Sequence, residues 1–251
     1  MHFLAALQFL TTIAFPWRRR VSPEELGRPI PYFPVVGLII GLILAGLSWI
    51  FSLILPPAVA NALLIVFLVM VTGARHLSGL VHTCDAIAVP KPAAERLQVM
   101  RDSRSGAFGV IGVVLLLLVK YISLSNLPGY LMTPVLVFMP VVSRWAMTYT
   151  VFVYSSAQSS ELDTLLKQGT RWPGFTIATI ITVVIALLLI PLLQFTGLAI
   201  IFSVWLITVI MATYFKSAFN GLGIDNYGTI NEVAEVSVFI IVILLARIGL
   251  A

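Results

Sequence analysis

Long apolar runs separated by short polar islands dominate this chain. The runs cover residues 34–55, 58–74, 107–126, 130–154, 175–193, 197–215 and 233–250. Each approaches the roughly 20 residues a helix needs to cross a bilayer. None alternates apolar and polar positions as a strand of a membrane barrel does. The pattern predicts an all-α, polytopic transmembrane helical bundle of about seven spans plus a short N-terminal helix. The connectors Pro56-Pro57, Leu127-Pro128-Gly129 and the turn near Thr196 are short and uncharged, so the spans pair into hairpins. Residues 93–102 have helical spacing with Leu97 and Met100 on one face. They predict a short amphipathic helix, either lying on the membrane or serving as a solvated connector.

Composition agrees. The chain is 60% hydrophobic and 10% charged, with a mean hydropathy of +1.06. The first apolar run, residues 3–15, has no basic residue before it and no small-residue cleavage site, so a re-entrant or interfacial helix fits it better than a cleaved signal. The single cysteine, Cys84, excludes an intramolecular disulfide. There is no internal repeat or low-complexity segment, and residues 1–251 read as one integral-membrane domain.

The net charge of +5 is distributed unevenly. Of the 15 Lys and Arg residues, only Lys120, Arg144 and Arg247 fall outside the connectors on one side. That side is expected to be cytoplasmic, in a multi-pass inner-membrane protein that contacts anionic lipid. No aromatic-interleaved basic stripe exists, which argues against nucleic acid. Lys120, near a helix end, is expected to snorkel.

Two polar islands hold the candidate chemistry. The first runs from Arg75-His76-Leu77-Ser78 to Asp85 and resumes at Arg101-Asp102-Ser103-Arg104-Ser105-Gly106-Ala107-Phe108-Gly109. Ser78, His82 and Asp85 share one face if this segment is helical. They permit a Ser-His-Asp triad, a zinc site with His76 and Cys84, or a hard-metal site in which Asp85 is joined by Asp225 or Glu232. Ser103 or Ser105 is a candidate cap for the next span, and a glycine-flanked helix start suits either a phosphate or close helix packing. The second island runs from Asp225 through Gly228 and Glu232 to Glu235, and its acids serve either a site or a helix dipole. Arg144 lies inside a span, where its planar fork suits a phosphate or a buried carboxylate.

These residues resemble the cobalamin synthase family, the adenosylcobinamide-GDP ribazoletransferases. The family's first signature reads approximately H-L-D-G-L-A-D-T-x-D-G, beside His76-Leu77-Ser78-Gly79-Leu80-Val81-His82-Thr83-Cys84-Asp85-Ala86 here. The second, M-R-D-S-R-x-G-x-x-G, matches residues 100–109. Leu7-Gln8-Phe9-Leu10-Thr11, Val142-Ser143-Arg144 and the Asp225 island match in the same order. The chain departs from the pattern where two signature aspartates are Ser78 and His82.

The resemblance implies a membrane enzyme that joins adenosylcobinamide-GDP to α-ribazole, or its 5′-phosphate, and releases GMP. It implies Mg²⁺, with Mn²⁺ or another divalent ion as the substitute, held by Asp85, Asp225 and His82. Arg101, Arg104 and Arg144 would clamp phosphate oxygens, with His76 also on the substrate. Asp85, Asp102, Asp225 and Glu232 are the candidate catalytic carboxylates. Two alternatives stay open: a degenerate member that binds corrinoid or scaffolds an assembly complex, as a homo-oligomer or with partners, and a membrane transporter.

Overall fold

A computed structural model describes residues 2–13, 28–102, 105–157, 163, 166–167, 172–193 and 196–250. It is helical, as the sequence pattern predicts. The helices are α1 (His2–Leu10), α2 (Phe33–Ile54), α3 (Pro57–Thr72), α4 (Arg75–Ala88), α5 (Ala93–Arg101), α6 (Ala107–Ser125), α7 (Gly129–Val153), α8 (Trp172–Leu188), α9 (Thr196–Phe219) and α10 (Ile224–Arg247). Among the described residues, five helices are long and apolar enough to cross a membrane, or six if α3 and α4 together make one bent span. The apolar α8 falls just short of that length.

The core forms around α7, which is buried along most of its length. A helix apolar on all sides belongs in the middle of a bundle. The closest approach is made by α2, whose Gly37 and Gly41 lie one turn apart on the face toward α7. A Cβ at Gly41 would sit 2.5 Å from the Val137 carbonyl oxygen, and one at Gly37 would meet the backbone of Pro140. Paired small residues of this spacing let membrane helices touch backbone to backbone, where dispersion replaces the missing hydrophobic force. Gly41→Leu is expected to cost about 1–3 kcal/mol through overpacking. Gly46, with nothing within 4 Å of a built Cβ, supplies the control. Thermal melts in detergent should show a lower midpoint for Gly41→Leu and none for Gly46→Leu; equal midpoints would dismiss the contact.

Away from the core, α6 and α9 expose apolar side chains such as Phe108, Leu115, Phe202 and Ile210. Surfaces of that composition suit lipid.

One end of the bundle collects most of the polar contacts. The turn after α1 is pinned to the end of α3, with the Thr12 N–H donating to the Val71 carbonyl at 2.7 Å. Arg75 donates to the carbonyls of Gln8 and Phe9 at 3.0 and 2.6 Å, closing the end of α1. Ser155–Ala157, after α7, pairs with Leu222, before α10. Buried Asp163 accepts from the Ile224 N–H at 2.7 Å.

Two consecutive left-handed residues, Gly73 (φ 63°) and Ala74 (φ 54°), end α3. They turn the chain through 88° into α4. The first polar island therefore does not continue the membrane span; it crosses the same end of the bundle. The amphipathic helix forms as α5, with Met100 buried and Leu97 half-buried against the rest of the protein.

Candidate functional site

Helix α4 is two-faced. His76, Leu77, Gly79, Leu80, Thr83 and Ala86 are buried. Ser78 is exposed, and His82 and Asp85 are partly exposed on the other side. The shared face predicted for Ser78, His82 and Asp85 therefore exists.

Helix α10 lies against the buried face, and glycines set the distance. A Cβ on Gly79 would come within 2.7 Å of the Asp225 carbonyl oxygen, and one on Gly228 within 3.1 Å of the His76 Cα. Threonine and asparagine complete the seam: Asn226 Nδ2 donates to Thr83 Oγ1 at 3.3 Å, and Thr229 bonds the same hydroxyl at 3.0 Å. At the open rim of this seam, His82 Nδ1 lies 3.1 Å from Asp225 Oδ2. The two side chains are 22% and 25% exposed, so a ligand can reach both. The structure thus joins two of the three predicted metal ligands across 143 residues of chain.

Asp225 is not in a loop. The last helix begins at Ile224 rather than near residue 233, capped by Gly223, whose N–H donates to Asn226 Oδ1 at 2.9 Å. The carboxylate consequently sits in the first turn, where the helix dipole favours negative charge.

Asp85 has a different partner. One of its oxygens accepts from the Gly106 N–H at 2.6 Å and the other from the Gly109 N–H at 2.7 Å. The start of α6 is therefore capped from α4, not by Ser105, and the amides expected to await a phosphate already hold a carboxylate. Ser103 lies outside the described residues. A Cβ at Gly109 would fall 2.6 Å from Asp85 Oδ2, so the glycines serve this close contact.

Beside Asp85 opens a groove of about 480 Å³. It is lined by Asp85, Lys91, Glu95, Gln98, Asp102 and Phe108, among others. Lys91 and Glu95 pair at 3.0 Å on its rim. Asp102 is exposed here, and Arg101, the preceding residue, is exposed at the end of α5. Arg104 lies outside the described residues.

Deeper in the bundle, four charged side chains form a cluster that local sequence reading missed. Lys120 does not snorkel: it is 1% exposed, and its Nζ donates to Glu232 at 2.6 Å and to Glu235 at 2.7 Å. Arg144, fully buried, pairs with Glu235 and donates to Ser143 Oγ at 2.9 Å. Glu232 is thus held in an ion pair inside the bundle, not at the rim. His76 is buried too, its Nδ1 3.0 Å from Asn231 Nδ2. Of the residues predicted to touch substrate, Arg144 and His76 sit in the core, and Arg101 stands at the surface.

The polar contacts close a triangle. Helix α4 meets α10 through His82–Asp225, α4 meets α6 through Asp85, and α6 meets α10 through Lys120. Among the described residues, no group of three or more His, Cys, Asp or Glu side chains is arranged as a complete metal cage. The exposed pair at the rim offers one imidazole and one carboxylate; a carboxylate suits a hard ion such as Mg²⁺, whereas an imidazole suits softer divalent ions.

The chain matches the sequence model of a family described as cobalamin-5-phosphate synthase over residues 2–244. It is 37% identical over 234 residues to the adenosylcobinamide-GDP ribazoletransferase of Geotalea daltonii, covering 93% of each chain. It is 30% identical to the enzyme of the same name from Thermoanaerobacter pseudethanolicus, over 94% of each chain. The corresponding protein of a Roseiflexus species is 31% identical, over 92% of this chain and 85% of its own. No solved structure matches the chain.

Proposed function

This chain belongs to the cobalamin-5-phosphate synthase family, and on that basis we infer that it is a membrane-bound transferase for the last assembly step of cobalamin. It joins adenosylcobinamide-GDP to α-ribazole, or to its 5′-phosphate, and releases GMP. The observation that carries this reading is the match along nearly the whole chain. The geometry that supports it is the open His82–Asp225 pair between α4 and α10, together with the groove that opens further along α4 beside Asp85.

In the reaction, a ribose hydroxyl of the α-ribazole attacks the phosphorus next to the cobinamide. A new P–O bond forms, the bridging P–O bond to the guanylate breaks, and the hydroxyl proton leaves to a base or to water. Such transfer depends on positioning and charge neutralisation more than on covalent catalysis. Asp225 and His82 are the residues we assign to a divalent ion, Mg²⁺ or Mn²⁺, which would supply charge neutralisation at the diphosphate when bound. Asp85 fixes α6 against α4 and so shapes the groove. Arg101 supplies positive charge near the entering phosphates, and Asp102 faces the groove where the hydroxyl would be oriented. From the core, His76 ties α4 to α10 through Asn231, Glu232 ties α10 to α6 through Lys120, and Arg144 ties α7 to α10 through Glu235.

Purified protein in detergent, given adenosylcobinamide-GDP, α-ribazole and a divalent metal series, should release GMP only when both substrates are present. Binding of the corrinoid without GMP under any metal would instead support the non-catalytic alternative.

The site is proposed to face the cytoplasm, since the exposed Arg101 and Lys91 between α4 and α6, and Lys216 in the last turn of α9, lie on its side. In a Cys84→Ser background, Lys91→Cys and Lys216→Cys should label from the cytoplasmic side, and Asn126→Cys from the other. Labelling of positions 91 and 216 from opposite sides would refute this topology.

A further inference from the structure

The buried charge cluster is incomplete in a specific way. Arg144 directs Nη1 to Ser143 and Glu235, but its Nε and Nη2 have no partner among the described residues, and neither does Asn231 Oδ1. All three atoms are buried, with both residues 0% exposed. They belong to one neighbourhood, because Arg144 Nη1 and Asn231 Nδ2 bond the same oxygen, Glu235 Oε1. Nε and Nη2 form the edge of the guanidinium that ordinarily grips an acceptor with two parallel bonds. Buried polar groups are satisfied almost without exception, and inside a bilayer they have no bulk water to turn to.

We propose that this junction holds an internal water site: at least one water that accepts from the Arg144 Nε–Nη2 edge and donates to Asn231 Oδ1. The charges select water over an ion. Lys120 and Arg144 against Glu232 and Glu235 sum to zero in their ionised forms. An anion would add unpaired charge at membrane depth, and a halide has no proton to give Asn231. A cation would face the donors of Arg144. A water molecule has both the lone pairs and the protons that the three atoms lack, and buried waters commonly make about three such bonds. Polar contacts already run from α4 through α10 to α7 by way of His76, Asn231, Glu235 and Arg144, and the water adds a second link between Asn231 and Arg144. The site stands apart from the transferase reading and is independent of substrate.

The test is a crystal structure of the full chain in lipid, without substrates, at a resolution that shows ordered water, with a parallel bromide soak. The expected result is a peak within hydrogen-bonding distance of Asn231 Oδ1 and of Arg144 Nε or Nη2, unchanged by bromide. Three results would overturn the proposal: an anomalous bromide signal at the junction; an Arg144 edge bonded directly to protein with no intervening peak; or an Arg144 rotamer that leaves the core.

Discussion

Lys120→Met should destabilise the protein by about 3–5 kcal/mol, because it leaves two buried glutamates facing a single arginine. At about 2–4 °C per kcal/mol for a chain of this size, that is a fall of roughly 6–20 °C in melting midpoint. The reason is the cost of an uncompensated charge, not the value of the ion pair itself. A buried pair gains little over well-packed apolar groups, since desolvating both partners offsets their attraction. Removing one partner leaves the other's desolvation unopposed. Lys120 is bonded to both Glu232 and Glu235, and Arg144 only to the latter.

The double variant follows from the same count. Lys120→Met with Glu232→Leu removes one charge of each sign and keeps Arg144 with Glu235, so it should recover most of the lost stability. The cycle of the two single variants and the double, read by thermal melts in detergent, measures the coupling. Additive losses, or an unchanged midpoint for Lys120→Met, would mean that the lysine is hydrated and the cluster is not the closed ion-pair system described above.

That cluster marks the boundary of what the sequence disclosed. The spans were readable because lipid imposes one rule on every residue of a crossing helix, and apolar runs record it directly. The shared face of Ser78, His82 and Asp85 was readable because helical periodicity is local. Lys120 was not, since its partners lie 112 and 115 positions away, and its place near a helix end invited the snorkelling explanation. Glu232 and Glu235 read as first-turn acids only if the last helix starts beside them, and it starts at Ile224. The stretch Ile224–Asn231 is helical because Asn226 Oδ1 accepts from the Gly223 N–H and Asp163 Oδ1 from the Ile224 N–H, which satisfies the amides at its start, and that moves both glutamates into the core. Asp85 and Gly106–Gly109 each stand out in the sequence, but their contact depends on the bend at Gly73 and Ala74, which brings α4 across the start of α6. The Gly37/Gly41 pair carries no signal in the apolar run that holds it, because its meaning depends on the backbone of α7 lying opposite.

Asp225→Asn should lower GMP release by about 100-fold, a loss of about 2.7 kcal/mol in transition-state stabilisation, with the fold intact. The amide keeps the shape and an acceptor for His82 Nδ1, so α4 and α10 stay joined; what disappears is the negative charge at an open rim. Unchanged melting midpoints would show that the loss belongs to the chemistry. His82 gives the sharper version of the test. The resembled family pattern has a carboxylate there, whereas an imidazole shifts a site from hard Mg²⁺ toward Mn²⁺, Co²⁺ or Zn²⁺. If His82 and Asp225 share the ion, His82→Asp should raise the ratio of Mg²⁺- to Mn²⁺-supported turnover while Asp225→Asn depresses both. A His82→Asp enzyme with the wild-type metal ratio would place the ion elsewhere. The His82–Asp225 contact would then serve only to hold α4 on α10, and Asp225→Asn would be expected to leave turnover near its original value.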